Sequence, residues 1–311
     1  MKLAGAGVEA PAKQEEGPWP LDAGSRASPE GDARRDPAKS GVGPRSALPA
    51  GRGSMPRERN RVRVALFIPC YVDQLYPGVG LATARLLERV GCEVHYPEDQ
   101  TCCGQPMANA GFAAQAAPLA RRFLDVFAGS GGCEAVVCPS GSCTSMVRNH
   151  YHGLVNGDPR YPAVRAATYE LCEFLTDVLH LERLPGRLPR RVGLHQSCHG
   201  LRELRLGSGS ERQVAPFDKV ARLLRSIEGL ELVSLTRPDE CCGFGGTFSV
   251  FEEAVSAFMG EDRIADHLRA GAEVITGTDV SCLMHMDGLA RRAGTPVVFR
   301  HVAELLAEAM G

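Results

Sequence analysis

Two Cys-Cys-Gly units, Cys102-Cys103-Gly104 and Cys241-Cys242-Gly243, constrain this chain more than any other feature of its sequence. Each is followed by a further cysteine at the same distance: Cys143 lies 40 residues after Cys103, and Cys282 lies 40 after Cys242. Each is also preceded by one, Cys70 standing 32 residues before Cys102 and Cys198 standing 43 before Cys241. A shuffled chain of this composition holds roughly 0.05 such triplets, so two at equal offsets from a later cysteine mark an internal duplication. The chain is expected to fold as two related halves, each gathering four cysteines.

Composition narrows the class. With 44% hydrophobic residues and a net charge of −2, the 311-residue chain can bury a real core and offers no basic field to nucleic acid or a membrane surface. Aromatic residues are 6% of the chain, too few for a base-stacking platform. No apolar run reaches the ~18 residues of a membrane helix. Val8-Glu9 interrupts the apolar start, which argues against a secretory signal and for the cytoplasm. Thiols stay reduced there, so 12 cysteines point to metal or redox chemistry before disulfides.

Residues 1–61 carry 8 of the 21 prolines and no helical or strand periodicity, and are expected to be a disordered extension. Trp19 falls there without a core role, and Met55 is a candidate initiator. From Val62 the pattern alternates. Apolar runs at Val62–Ile68, Glu93–Tyr96 and Glu134–Cys138 read as strands leading into cysteine loops, with helices opening at Pro77 and about Ala110 and another after the Pro139–Cys143 loop. Tyr169 to Leu181 reads as an amphipathic helix, and Arg183–Arg191, with Pro185, Gly186 and Pro189, as a linker. The scheme then restarts, with strands at Arg191–His195, Leu230–Leu235, Glu273–Thr276 and Pro296–Phe299, and a last helix at Val302–Met310. The expectation is an α/β chain of two tandem pseudo-repeats, 62–185 and 186–311, each a small mostly parallel sheet flanked by helices. Loops at the strands' carboxyl ends would then build the site.

Four converging thiolates suit an iron–sulfur cluster or zinc. The first half supplies Cys70, Cys102, Cys103 and Cys143, and the second supplies Cys198, Cys241, Cys242 and Cys282. Cys138, ending a strand five residues before Cys143, is a further candidate ligand. Cys92 and Cys172 read as core thiols, and Cys133 as incidental. His199 and His285 are candidates for a ligand, a proton carrier or a hydrogen-bond partner near the second set, while His195 reads as structural. Arg202 and Arg205 are candidates for an anionic substrate or a solvated face. Gly5-Ala6-Gly7 lacks the strand and third glycine of a nicotinamide fingerprint. The absence of a Cys-x-x-Cys-x-x-Cys run means that electrons must come from, or go to, another subunit.

These segments resemble a known family. Pro69-Cys70-Tyr71-Val72-Asp73, Cys102-Cys103-Gly104-Gln105-Pro106, Pro139-Ser140-Gly141-Ser142-Cys143, Ser197-Cys198-His199-Gly200 and Cys241-Cys242-Gly243-Phe244-Gly245-Gly246 are similar to the cysteine-rich CCG domain. That domain occurs in the B subunit of heterodisulfide reductase, the iron–sulfur subunit of glycolate oxidase and the lactate utilization protein A family, and the fit is best to the last. The resemblance implies an iron–sulfur subunit in a system oxidising L-lactate to pyruvate; the four-cysteine sets themselves suit 4Fe-4S clusters, with zinc an alternative at one repeat. A ferredoxin-like iron–sulfur subunit and a further lactate-utilization subunit are the implied partners. Disulfide reduction at a cluster, glycolate oxidation and a zinc-stabilised scaffold are the alternatives. Where the wider pattern ends in Cys-x-x-Cys, this chain has Ser140 and Asp279 in place of the earlier cysteine. Four thiolates per repeat therefore replace five.

Overall fold

The computed structural model describes residues 61–311. The expected extension over 1–61, including Trp19, Met55 and Gly5-Ala6-Gly7, lies outside the described residues except for Arg61. Among the described residues, β1 (Arg63–Leu66), β2 (Glu93–His95), β3 (Ala135–Cys138) and β4 (Thr168–Glu170) form one sheet in the order β2-β1-β3-β4. A second sheet holds β5 (Arg187–His195), β6 (Glu228–Leu232), β7 (Val274–Gly277) and β8 (Val298–His301), in the matching order β6-β5-β7-β8. Every neighbouring pair is parallel. The duplication read from cysteine spacing is thus a duplication of topology.

The strands form for an elementary reason: β3 and β7 are apolar runs buried along their whole length, as strands covered on both faces must be. Helix Ala113–Phe127 buries Ala116, Ala120, Phe123, Leu124 and Phe127, a helical stripe that seals one face of the first sheet. Phe67 packs edge-on against Phe123 and Phe127, with ring centroids 4.9 and 5.6 Å away.

Two expectations are corrected. The stretch from Tyr169 read as a helix begins instead with β4, because Thr168 and Tyr169 extend to pair with β3 and the helix starts only at Leu171. Three residues are too few to show an alternating period, so the following apolar helix hid the strand. The linker read at Arg183–Arg191 is partly structured, since β5 begins at Arg187. Pro189 is tolerated there because the β5–β6 register shifts between Arg187 and Arg190.

The two halves exchange their last helices. Helix Val302–Ala309, from the second half, packs on helix Pro77–Arg89 of the first, where Arg89 donates to the Ala307 carbonyl at 3.0 Å. The segment Leu171–Val178, from the first half, packs reciprocally on helix Lys219–Arg225 of the second, with Lys219 donating to Asp177. One apolar core therefore runs through both halves, from Leu86 and Leu87 to Leu305 and Leu306 and from Leu171 and Phe174 to Leu223 and Leu224.

Candidate metal centre

The parallel sheets deliver their loops to one edge, and there the two cysteine sets face a common cavity of about 340 Å³. Its lining includes Cys70, Cys103 and Cys143 from the first half and Cys198, Cys241, Cys242 and Cys282 from the second. Cys102 completes the first set, accepting a hydrogen bond from the Cys70 thiol at 3.5 Å. Local structure explains the convergence. Cys70 opens helix Cys70–Leu75, Cys143 lies in the first turn of helix Gly141–Ser145, and Cys282 in that of helix Val280–Ala293.

The doublets sit in loops turned by their glycines. Gly104 has φ 83° and Gly243 φ 88°, both left-handed, and each donates its backbone N–H to the first sulfur of its doublet: Gly104 to Cys102 at 3.4 Å and Gly243 to Cys241 at 3.3 Å. In both doublets the first cysteine is half-buried and the second is buried. Cys102 accepts from Cys103, Cys70 and the Gly104 amide, which pulls its thiol down to about 3. Cys241 accepts from Cys198, Cys242 and the Gly243 amide and falls to about 2. Cys70, Cys103, Cys198 and Cys242 move the other way, first because each donates to a neighbouring thiolate. Each set thus gathers four sulfurs, with a backbone amide on the first sulfur of the doublet, a donor set that fits cluster iron or tetrahedral zinc.

Contacts between the halves close the site. Ser140 and the Ser142 amide both donate to the Asp279 carboxylate at 2.9 Å. Gln105 donates to His199 at 3.3 Å, and the Tyr71 and Phe244 rings meet edge-on across the cavity with centroids 6.2 Å apart.

Other expected residues fall elsewhere. Cys138 is fully buried behind Ser140, its thiol directed to the Ser140 carbonyl at 3.7 Å, and it is not part of the cavity lining. Cys92 and Cys172 lie in the shared core. Cys133, half-buried, packs at the edge of the first-half core. His285 is spent on the Ser256 carbonyl at 3.2 Å, and Arg202 pairs with Glu211 and Asp239 rather than facing the cavity. Arg205 is exposed. His195, read from sequence as structural, has a ring nitrogen within 4.8 Å of the Cys242 and Cys282 sulfurs. Its position at the carboxyl end of β5, where the cysteine loop begins, was the signal that could have marked it.

The fold and the paired cysteine sets define a protein built from two cysteine-rich CCG domains, and the profile of that family, described as a cysteine-rich domain, matches residues 64–148 and 192–287. Over 249 residues the chain is 41% identical to Lactate utilization protein A of an Exiguobacterium species, covering 79% of this chain and 97% of that protein. It is 40% identical to Lactate utilization protein A of Geobacillus thermodenitrificans, covering 79% and 98%. It is 41% identical to that of Halalkalibacterium halodurans, covering 79% and 96%. The chain belongs to the lactate utilization protein A family. A solved structure of a hypothetical protein from Helicobacter pylori superposes with TM-score 0.49 at 14% identity, over 80% of this chain and 49% of that one. Among the described residues no helix is long and apolar enough to cross a membrane.

Proposed function

We propose that the chain is a cytoplasmic iron–sulfur electron-transfer subunit of a multisubunit system oxidising L-lactate to pyruvate. The observation that carries this reading is the convergence of two four-cysteine sets on one cavity, in a chain whose relatives bear the name Lactate utilization protein A. A bound cluster supplies one-electron transfer at a potential tuned by its thiolates and their hydrogen bonds. Cys70, Cys102, Cys103 and Cys143 would hold one and Cys198, Cys241, Cys242 and Cys282 the other, as 4Fe-4S clusters. Gly104 and Gly243 donate to sulfur and moderate its charge. Tyr71 and Phe244 pack edge-on between the sets and add apolar surface to the cavity wall. A ferredoxin-like subunit exchanges the electrons and another subunit of the system handles the hydroxy acid.

The test is iron, sulfide and zinc analysis with low-temperature EPR on the anaerobically purified full chain, followed by lactate-driven reduction in the presence of partner subunits. Two clusters per chain and reduction by lactate support the reading, zinc without iron or sulfide overturns it in favour of a scaffold, and reduction by glycolate alone reassigns the substrate. A second reading, disulfide reduction, is favoured by the single cavity into which both sets open. Two electrons from an added low-potential reductant and two protons from solvent would convert one disulfide to two thiols there, and such turnover by this chain without partner subunits would favour it.

A further inference from the structure

The two sites are alike in their cysteines but not in what stands behind them. His195 and Phe67 occupy the same place in their halves, three residues before Cys198 and Cys70. Arg263 and Leu124 correspond likewise, each 22 residues after the first cysteine of its doublet, and so do Asp266 and Phe127 at 25 residues. Behind the first set the three positions form part of an apolar cluster. Behind the second, Arg263 and Asp266 form a fully buried ion pair at 3.3 Å, and Arg263 Nε donates to His195 Nδ1 at 3.3 Å.

That last bond decides the chemistry of the ring. A guanidinium has donors and no lone pair, so Nδ1 must be the accepting nitrogen and the imidazole proton sits on Nε2. His195 is 1% exposed, and its Nε2 has no partner in the protein. A buried N–H without a partner costs about 1–3 kcal/mol, and a ring nitrogen of His195 lies within 4.8 Å of the Cys242 and Cys282 sulfurs. Ligation of metal through Nε2 would need its lone pair, which this tautomer does not offer.

Resting on the cluster reading above, we propose that His195 is a positioning residue that donates its Nε2–H to sulfur at the second site and raises the reduction potential there relative to the first. A donor on sulfur stabilises the more negative, reduced state. Phe67 provides no such donor, so the duplicated centres are unequal and an electron shared between them rests on the second.

The experiment is an EPR-monitored redox titration of the anaerobic full chain, wild type against His195→Phe and His195→Gln. The expected result for His195→Phe is a tenfold or larger loss in the reduction equilibrium of one cluster, about 59 mV for a one-electron couple, with the other unchanged. His195→Gln, whose amide also donates, should recover most of that loss. Unchanged potentials in an iron-loaded His195→Phe protein would overturn this inference alone, and loss of half the iron from that variant would make His195 a ligand instead. Should His195→Phe not fold, pulsed EPR of wild-type protein labelled with ¹⁵N-histidine decides: a weak nitrogen coupling with an exchangeable proton is expected, and a coupling of directly bound magnitude, or none, overturns it. Wild-type protein without iron and sulfide would remove the cluster reading and this inference together.

Discussion

Ser140 donates its hydroxyl proton to Asp279 at 2.9 Å, joining two residues 139 positions apart that hold the same place in their halves, three before the last cysteine. Asp279 stands at the N-cap of its own helix yet makes no capping bond there; the same oxygen also accepts from the Ser142 amide of the other half. We predict that Asp279→Ala, which strands two buried donors, destabilises the protein by about 2–4 kcal/mol. Asp279→Asn keeps an accepting oxygen and should cost about 1 kcal/mol or less. Denaturant unfolding under anaerobic conditions checks the pair, and equal costs would show that the bond between halves does not matter.

The doublet glycines should respond unequally to a methyl group. A Cβ on Gly104 would come no nearer than 3.4 Å to its surroundings, so Gly104→Ala bears only left-handed strain, about 1–2 kcal/mol. On Gly243 it would lie 2.5 Å from the Ser256 carbonyl oxygen and 2.8 Å from Met259 Cβ. Gly243→Ala is therefore expected to cost about 3 kcal/mol or more, a ranking that thermal unfolding reads directly.

Cysteine replacements should divide into two classes by iron content. Cys102→Ser and Cys241→Ser are each expected to lose one cluster, halving iron per chain. Cys138→Ala and Cys92→Ala should keep full iron, the latter losing about 1 kcal/mol of stability to the small cavity it leaves. Iron retained in both doublet variants would refute the assignment of the two sets.

Glu170 gives the fold a pH dependence. Burial pushes its carboxyl up to about 8, against 4.5 in an exposed chain, so between those values the folded protein holds a proton that the unfolded chain has released. Its stabilising contribution is complete below the lower value and is lost as pH rises through the upper one. Glu170→Gln retains an oxygen for the Glu173 amide, which Glu170 caps at 3.0 Å. The variant should flatten the slope between these limits and be more stable than wild type at pH 8 by roughly 2–4 kcal/mol. Denaturation midpoints across the range test it, and parallel profiles would exclude Glu170 as the source.

Much of this was legible in the chain. Strands β1, β3 and β7 announce themselves as apolar runs, and the cysteine spacing carried the duplication, because both are local or periodic signals. What escaped depends on partners remote in sequence. His195 reads as a structural residue until Arg263, 68 positions away, fixes its tautomer. Ser140 and Asp279 read as missing cysteines, and only folding shows that they hold each other. The reciprocal packing of Leu171–Val178 and Val302–Ala309 leaves no trace in amphipathic pattern, since an apolar stripe does not name the surface it meets.

That helix exchange is the arrangement of a domain-swapped dimer, here closed within one chain. Covalent linkage replaces a concentration-dependent association with an intramolecular one. Two crossed tethers then hold the halves, and parting them means undocking both helices from the shared core at once. The cavity between the cysteine sets is accordingly walled by loops of both halves, and its width is set by the same docking that joins the two sheets to one core.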